Sequence, residues 1–144
     1  MRGAALLLSV APCLSTAVQA AEPAPSIGKV SLGQTRSQVE ASMGRPLRVI
    51  NTGDALGPEL RFDGLTVWFW EGAGVAQIRS TSSAHCLVGG LCPGASQREL
   101  DRRLGRPSAK SGNLLHYAVK AEACWLEVAL VGGVASSLEI KCQP

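Results

Sequence analysis

Between Leu65 and Gly72 the chain reads LTVWFWEG, with Leu65, Val67 and Phe69 alternating with Thr66, Trp68 and Trp70. Alternate side chains of a strand point to opposite faces. The stretch therefore predicts a strand whose core face is Leu65, Val67 and Phe69 and whose other face carries two tryptophans. Upstream, Phe62 and Leu65 flank Asp63-Gly64, a dipeptide favoured in two-residue hairpin turns. Downstream, GVAQIRSTS predicts a returning third strand after the glycines at 72 and 74. Further along, NLLHYAV, CWLEVALV and GVASSLEIKC predict three more strands, with Gly132-Gly133 as the last turn. Leu126, Val128 and Leu130 sit 61 residues after Leu65, Val67 and Phe69, which assigns all six to a core.

The same offset of 61 residues relates two polar-apolar stretches of a different period, LGQTRSQVEASMGRP and PGASQRELDRRLGRP. They share the pattern G-x-[TS]-x-x-x-[VL]-x-x-x-[ML]-G-R-P, an internal period that marks the chain as a tandem repeat. Val39 and Met43, like Leu100 and Leu104, lie four apart, which gives each short helix one apolar stripe. Thr35 and Ser96 suit helix N-caps, and Gln38 and Glu99 three residues on complete a capping box in each copy. Gly44 and Gly105 can end the helices in a left-handed conformation, and Pro46 and Pro107 forbid continuation. These glycines and prolines punctuate helices; their spacing matches no nucleotide-binding motif. The predicted fold is α+β, with two tandem α-β-β-β repeats at 28–82 and 93–144, each a short helix packed on a small antiparallel sheet. Residues 83–92 form the connector.

The first twenty residues change the picture of where this chain works. Arg2, the apolar run AALLLSVAPCL and the small residues AVQA read as a secretory signal peptide, cleaved after Ala20 or Ala21. The run is short for a membrane span, and Pro12 interrupts it. Cys13 invites a lipoprotein reading, but Pro12 stands where lipidation wants a small residue. Residues 21–27, which include AEPAPS, read as a flexible leader. The mature chain would hold 13 basic and 11 acidic residues, a balance that argues against nucleic acid. Arg98, Arg102, Arg103 and Arg106 cluster, but Glu99 and Asp101 lie among them, as on a solvated helix face. Stable membrane insertion is not expected.

Four cysteines remain after cleavage, and an even count in an exported chain implies two disulfides. Three connectivities are possible. Cys124 and Cys142 are equidistant from Gly133, so the hairpin should set them nearly opposite each other, within reach of a bridge. Cys86 and Cys92 would then close the CLVGGLC connector loop. With only two histidines and no close cysteine pair, a metal site finds no support. His85 and His116 have no accompanying nucleophile pattern, and Cys86-x5-Cys92 lacks thiol-redox spacing. No cofactor is called for, and the chain is read as non-enzymatic.

The stretches GQTRSQVEASMGRP and GASQRELDRRLGRP, with the signal peptide and the helix-then-strands order, resemble the β-lactamase inhibitory protein (BLIP-like) fold, shared with SmpA/OmlA-like outer-membrane assembly lipoproteins. The resemblance covers most of residues 28–142. It implies an exported, mostly non-enzymatic protein that binds other proteins, through an aromatic-rich sheet face in the tandem inhibitor. The SmpA/OmlA proteins are lipid-anchored single copies, and the repeats here are shorter than the inhibitor's, so no contact residue is carried over.

On this reading Trp68 and Trp70 form a binding face, with Arg61, Arg79 and Glu71 as its polar rim; the second repeat places Trp125 and Glu127 on the corresponding face. The tryptophans could instead pack the two repeats together or lie under the loop at 47–58. Tyr117, Trp125 and His116 are read as structural. The expected partner is another protein of the cell envelope, with a hydrolase to be inhibited as its specific form, and the expected location is periplasmic or secreted. An accessory role in envelope assembly and a periplasmic small-ligand carrier are the alternatives.

Overall fold

A computed structural model describes residues 22–53 and 56–143 of the 144-residue chain. The proposed signal peptide, Cys13 and the cleavage site lie outside the described residues. The elements run β1 (Ser26–Ile27), β2 (Val30–Ser31), α1 (Arg36–Met43), β3 (Arg48–Ile50), β4 (Leu56–Phe62), β5 (Leu65–Trp70) and β6 (Gly74–Ser80). Then come α2 (Gln97–Leu104), β7 (Ala109–Ser111), β8 (Leu114–Ala118), β9 (Cys124–Val131) and β10 (Val134–Cys142). The fold is α+β and its strands pair antiparallel.

The sequence predicts two small sheets, each of three strands. The structure has one continuous eight-stranded sheet, in the order β3-β4-β5-β6-β10-β9-β8-β7. It is closed in the middle by β6 and β10, where Ile78 faces Ile140 and Arg79 faces Glu139. The three-residue edge strands β3 and β7 are additional to the expected set. Backbone edges pair wherever their groups meet, so this lateral joining leaves little side-chain pattern to read. The leader also differs from the expected flexible tether. Ser26 and Ile27 pair with Ser31 and Val30, Ile27 is fully buried, and Gly28 N–H donates to the Cys86 carbonyl at 2.7 Å.

The six expected core residues are buried: Leu65, Val67 and Phe69 on β5, and Leu126, Val128 and Leu130 on β9. Val39 of α1 and Leu100 of α2, both at 0% exposure, join the same core, and Met43 and Leu104 pack partly buried against it. Helices of eight residues are marginal alone, so this packing and the caps hold them. Thr35 and Gln38 form the full capping box: Gln38 N–H donates to Thr35 Oγ1 at 3.3 Å, and Thr35 N–H to Gln38 Oε1 at 2.8 Å. The second box is half made. Ser96 Oγ accepts from Glu99 N–H at 3.2 Å, but the Glu99 carboxylate turns to Arg103 at 3.4 Å. Gly44 and Gly105 end the helices at φ 82° and 72°, with extended ψ rather than the left-handed helical ψ. That region is essentially closed to other residues.

Both disulfides follow the expected connectivity, Cys86–Cys92 and Cys124–Cys142. Register shifts interrupt the sheet at three places among the described residues: between the Leu56–Trp70 and Glu59–Trp68 pairs, between the Trp68–Gln77 and Phe69–Val75 pairs, and between the Ala129–Ser137 and Leu130–Ala135 pairs. The last two each leave one residue unmatched, Ala76 on β6 and Ser136 on β10. At the start of β6, Gly74 has φ 82°, and a Cβ there would lie 2.6 Å from the Gly33 carbonyl oxygen. Only glycine lets β6 approach the turn before α1 so closely, where Gly33 N–H meets Val75 O and Val75 N–H meets Gln34 O.

Candidate functional site

The burial of β5 alternates strictly: Leu65, Val67 and Phe69 are buried, while Thr66, Trp68 and Trp70 are partly exposed. Both tryptophans therefore lie on the sheet face opposite the core. Trp68 stands between Glu59 on β4 and Gln77 on β6. Its indole N–H donates to Glu59 Oε2 at 3.1 Å, and the other carboxylate oxygen of Glu59 pairs with Arg61. Glu59 is only 8% exposed, so this carboxylate is used up in fixing the indole and the guanidinium.

Following the row across the sheet brings in the third tryptophan. Gln77 faces Lys141 on β10, and Lys141 faces Trp125 on β9. Trp68 and Trp125 thus share one row, three strand spacings or about 14 Å apart. Trp125 is held as Trp68 is: its indole N–H donates to Glu127 Oε1 at 3.1 Å. Between the two indoles lies a polar strip. The Gln77 amide donates to Glu139, and Lys141 Nζ lies 3.0 Å from Glu127 and 3.9 Å from Glu139. His116 Nδ1 approaches Glu127 at 3.9 Å. Burial works to raise the Glu127 pKa. The hydrogen bonds from Trp125 and Lys141, with the Lys141 and His116 charges, outweigh it and hold the carboxyl below its ordinary value. Glu127 is therefore ionised at neutral pH and anchors the strip.

The sequence-predicted site residues divide into two groups. Trp68, Arg61 and Arg79 come together with Trp125: Arg61 and Arg79 flank Thr66 from the neighbouring strands, and both are exposed. Trp70 and Glu71 lie farther along β5 and its following turn. They line a cleft of about 660 Å³ together with Arg36, Asn51, Thr52 and Pro58. Trp70 therefore shares this cleft with Asn51 and Thr52, which follow β3, while Trp68 lies between Glu59 and Gln77 on the sheet. Trp125 and Glu127 lie on the face the sequence assigns to them. The signal that joins Trp125 to Trp68 is the β6–β10 register, which no single-strand period carries.

The arginines of α2 are exposed, and Arg103 is tied to Glu99 and to the Gly89 carbonyl of the disulfide loop. His85 Nε2 lies 2.9 Å from the Asp63 carbonyl oxygen, a turn contact. No helix among the described residues is long and apolar enough to cross a membrane.

No protein-family model matches the chain, and no curated protein sequence matches it. Solved structures of similar fold include an extracellular protein containing an SCP domain from Bacillus anthracis str. Ames, at TM-score 0.58 and 10% identity. That match covers 78% of this chain and 44% of that one, so this chain spans less than half of its length. A DUF4309 family protein from Bacillus subtilis subsp. subtilis str. 168 matches at TM-score 0.50 and 15% identity, over 76% of this chain and 79% of that one. At these identities the likeness is one of fold.

Proposed function

We propose that this chain is an exported, non-enzymatic protein-binding module that grips another cell-envelope protein through the sheet face bearing Trp68 and Trp125. The observation that carries the reading is the row Trp68–Gln77–Lys141–Trp125, in which each indole is fixed by a carboxylate and left partly exposed. Tryptophan is enriched at binding hot spots, and an indole already held in place loses little freedom when a partner covers it. Arg61, Arg79 and Lys141 beside Glu59, Glu127 and Glu139 give the face both signs of charge, which suits a protein surface.

The module is built, on this reading, from two BLIP-like or SmpA/OmlA-like repeats. Supporting this are the helices, which recur at an offset of 61 residues, and the bulges at Ala76 and Ser136, which recur at 60. The β6–β10 junction relates Ile78–Ile140 to Ser80–Leu138 about the central Arg79–Glu139 pair. Export is supported by the sequence of the first twenty residues and by two disulfides, bonds that persist in oxidising compartments. An inhibitory role toward an envelope hydrolase is the specific form of this proposal.

The test is retention of a partner from an envelope extract by the oxidised protein and by Trp68→Ala/Trp70→Ala and Trp68→Ala/Trp125→Ala variants. A partner held by the parent and lost by the Trp68/Trp125 variant supports the reading. Equal retention by all three contradicts it.

A further inference from the structure

On the core side of the sheet, away from the tryptophan row, a cleft of about 420 Å³ opens between the Cys86–Cys92 loop, the end of α2 and the ends of β8 and β9. Leu87, Leu104, Val119, Leu126 and Ile140 line it, and Pro23 to Ser26 run along one side. Its volume falls in the range of small-molecule sites, about 300–1,000 Å³. This stretch of leader is held at its outer end by an exposed pair, Lys120 with Glu22 at 2.7 Å, and at its inner end by Leu32 N–H, which donates to the Pro25 carbonyl at 3.0 Å.

The polar groups of this cleft are unevenly used. Ser108 is committed, its backbone N–H and its hydroxyl both donating to the His116 carbonyl at 2.8 and 3.0 Å. Tyr117, at 4% exposure, is not: its hydroxyl is buried and has no hydrogen-bond partner among the described residues. A buried, unpaired hydroxyl is costly. Packing does not require it, because Phe62 stands opposite Leu65 in β4–β5 as Tyr117 stands opposite Leu126 in β8–β9. Burial, with the Asp101 charge adding to it, raises the Tyr117 pKa, so the hydroxyl stays a donor. Arg106 also lines the cleft, is exposed, and has no ion pair among the described residues. It lies two residues before Ser108, whose bonds to His116 fix that segment beside the Tyr117 strand.

We propose that this cleft binds a medium-chain aliphatic carboxylate, its chain against Leu87, Leu104, Val119, Leu126 and Ile140 and its carboxylate accepting from the Tyr117 hydroxyl and the Arg106 guanidinium. Such a ligand buries apolar area against an apolar wall and supplies the acceptor that Tyr117 lacks. A charged head on a donor and a cation is the pairing that lets a carboxylate leave water. The site is separate from the tryptophan face and does not depend on that face binding a protein.

The experiment is calorimetric titration of the oxidised protein with dodecanoate and, separately, with uncharged dodecanol, both kept below self-association. The expected result is saturable one-to-one binding of dodecanoate. Tyr117→Phe should weaken it about fivefold while the melting temperature of the free protein stays level or rises. Arg106→Gln should weaken dodecanoate to the level of dodecanol. Absence of saturable dodecanoate binding overturns the proposal. So does unchanged affinity in both variants, and so does a Tyr117→Phe protein that melts lower, since the hydroxyl would then have a partner within the fold.

Discussion

Cys124 stands directly opposite Cys142 in the β9–β10 hairpin, and the unmatched residue Ser136 is what puts it there. The hairpin turns at Gly132-Gly133, with Val131 opposite Val134. That register, continued, would set Cys124 against Lys141. The bulge advances β10 by one residue and brings the two cysteines face to face, 18 residues apart in sequence. Removing this bond with Cys124→Ala/Cys142→Ala should lower stability by about 2–4 kcal/mol, most of it through the freed unfolded chain. Urea unfolding of the oxidised parent and the variant measures it; a loss under about 0.5 kcal/mol would mean the hairpin is held without the bridge.

Stability toward acid should depend on Glu127. Its folded pKa lies below its ordinary value of 4.5, because Trp125, Lys141 and His116 favour the charged form more than burial opposes it. The unfolded chain therefore binds this proton more readily than the folded one. The contribution is complete above the ordinary glutamate range and is lost as the pH falls through the lower folded value. Glu127→Gln should flatten the acid limb of a stability-against-pH curve, and Lys141→Met should do the same by removing the main counter-charge. Both curves are measured by urea unfolding across the acid range. An acid limb as steep as the parent's in Glu127→Gln would contradict the assignment.

The tryptophans should matter little to folding. Replacing a core tryptophan by alanine costs about 3–5 kcal/mol. Trp68 and Trp125 are partly exposed on the side away from the core, so each change to alanine should cost less than half of that. Val67→Ala, from the buried face of the same strand, is the internal comparison. Thermal unfolding decides: a Trp68→Ala transition that falls further than the Val67→Ala one would make Trp68 a packing residue.

Much of this was legible because some residues carry their structural instruction locally. Leu65, Val67 and Phe69 announce a strand and its buried face by period alone, and all three are buried. Thr35, Ser96, Gly44 and Gly105 mark both helix ends, since capping is decided within four residues. The cysteine pairing could be counted from Gly133 because the turn lies half a residue before it and the bulge restores the count. What escaped has no local period. Arg48–Ile50 and Ala109–Ser111 are strands of three residues, too short for alternation to register. Ser26–Ile27 owes its order to distant contacts, Leu87 and Cys86 among them. The alignment of Trp68 with Trp125 depends on which residue of β6 meets which residue of β10, and backbone pairing across that junction sets it.

The Trp68–Trp125 row is proposed as a surface for another protein. A photo-crosslinking residue placed at Thr66, which lies between Arg61 and Arg79 on that face, will report such a partner, with Arg102 on the exposed side of α2 as the control position. In cells that make the protein, Thr66 should yield a discrete protein adduct that Arg102 does not, and Trp68→Ala/Trp125→Ala should abolish it. No adduct at Thr66, or the same adduct with both tryptophans removed, would contradict the account.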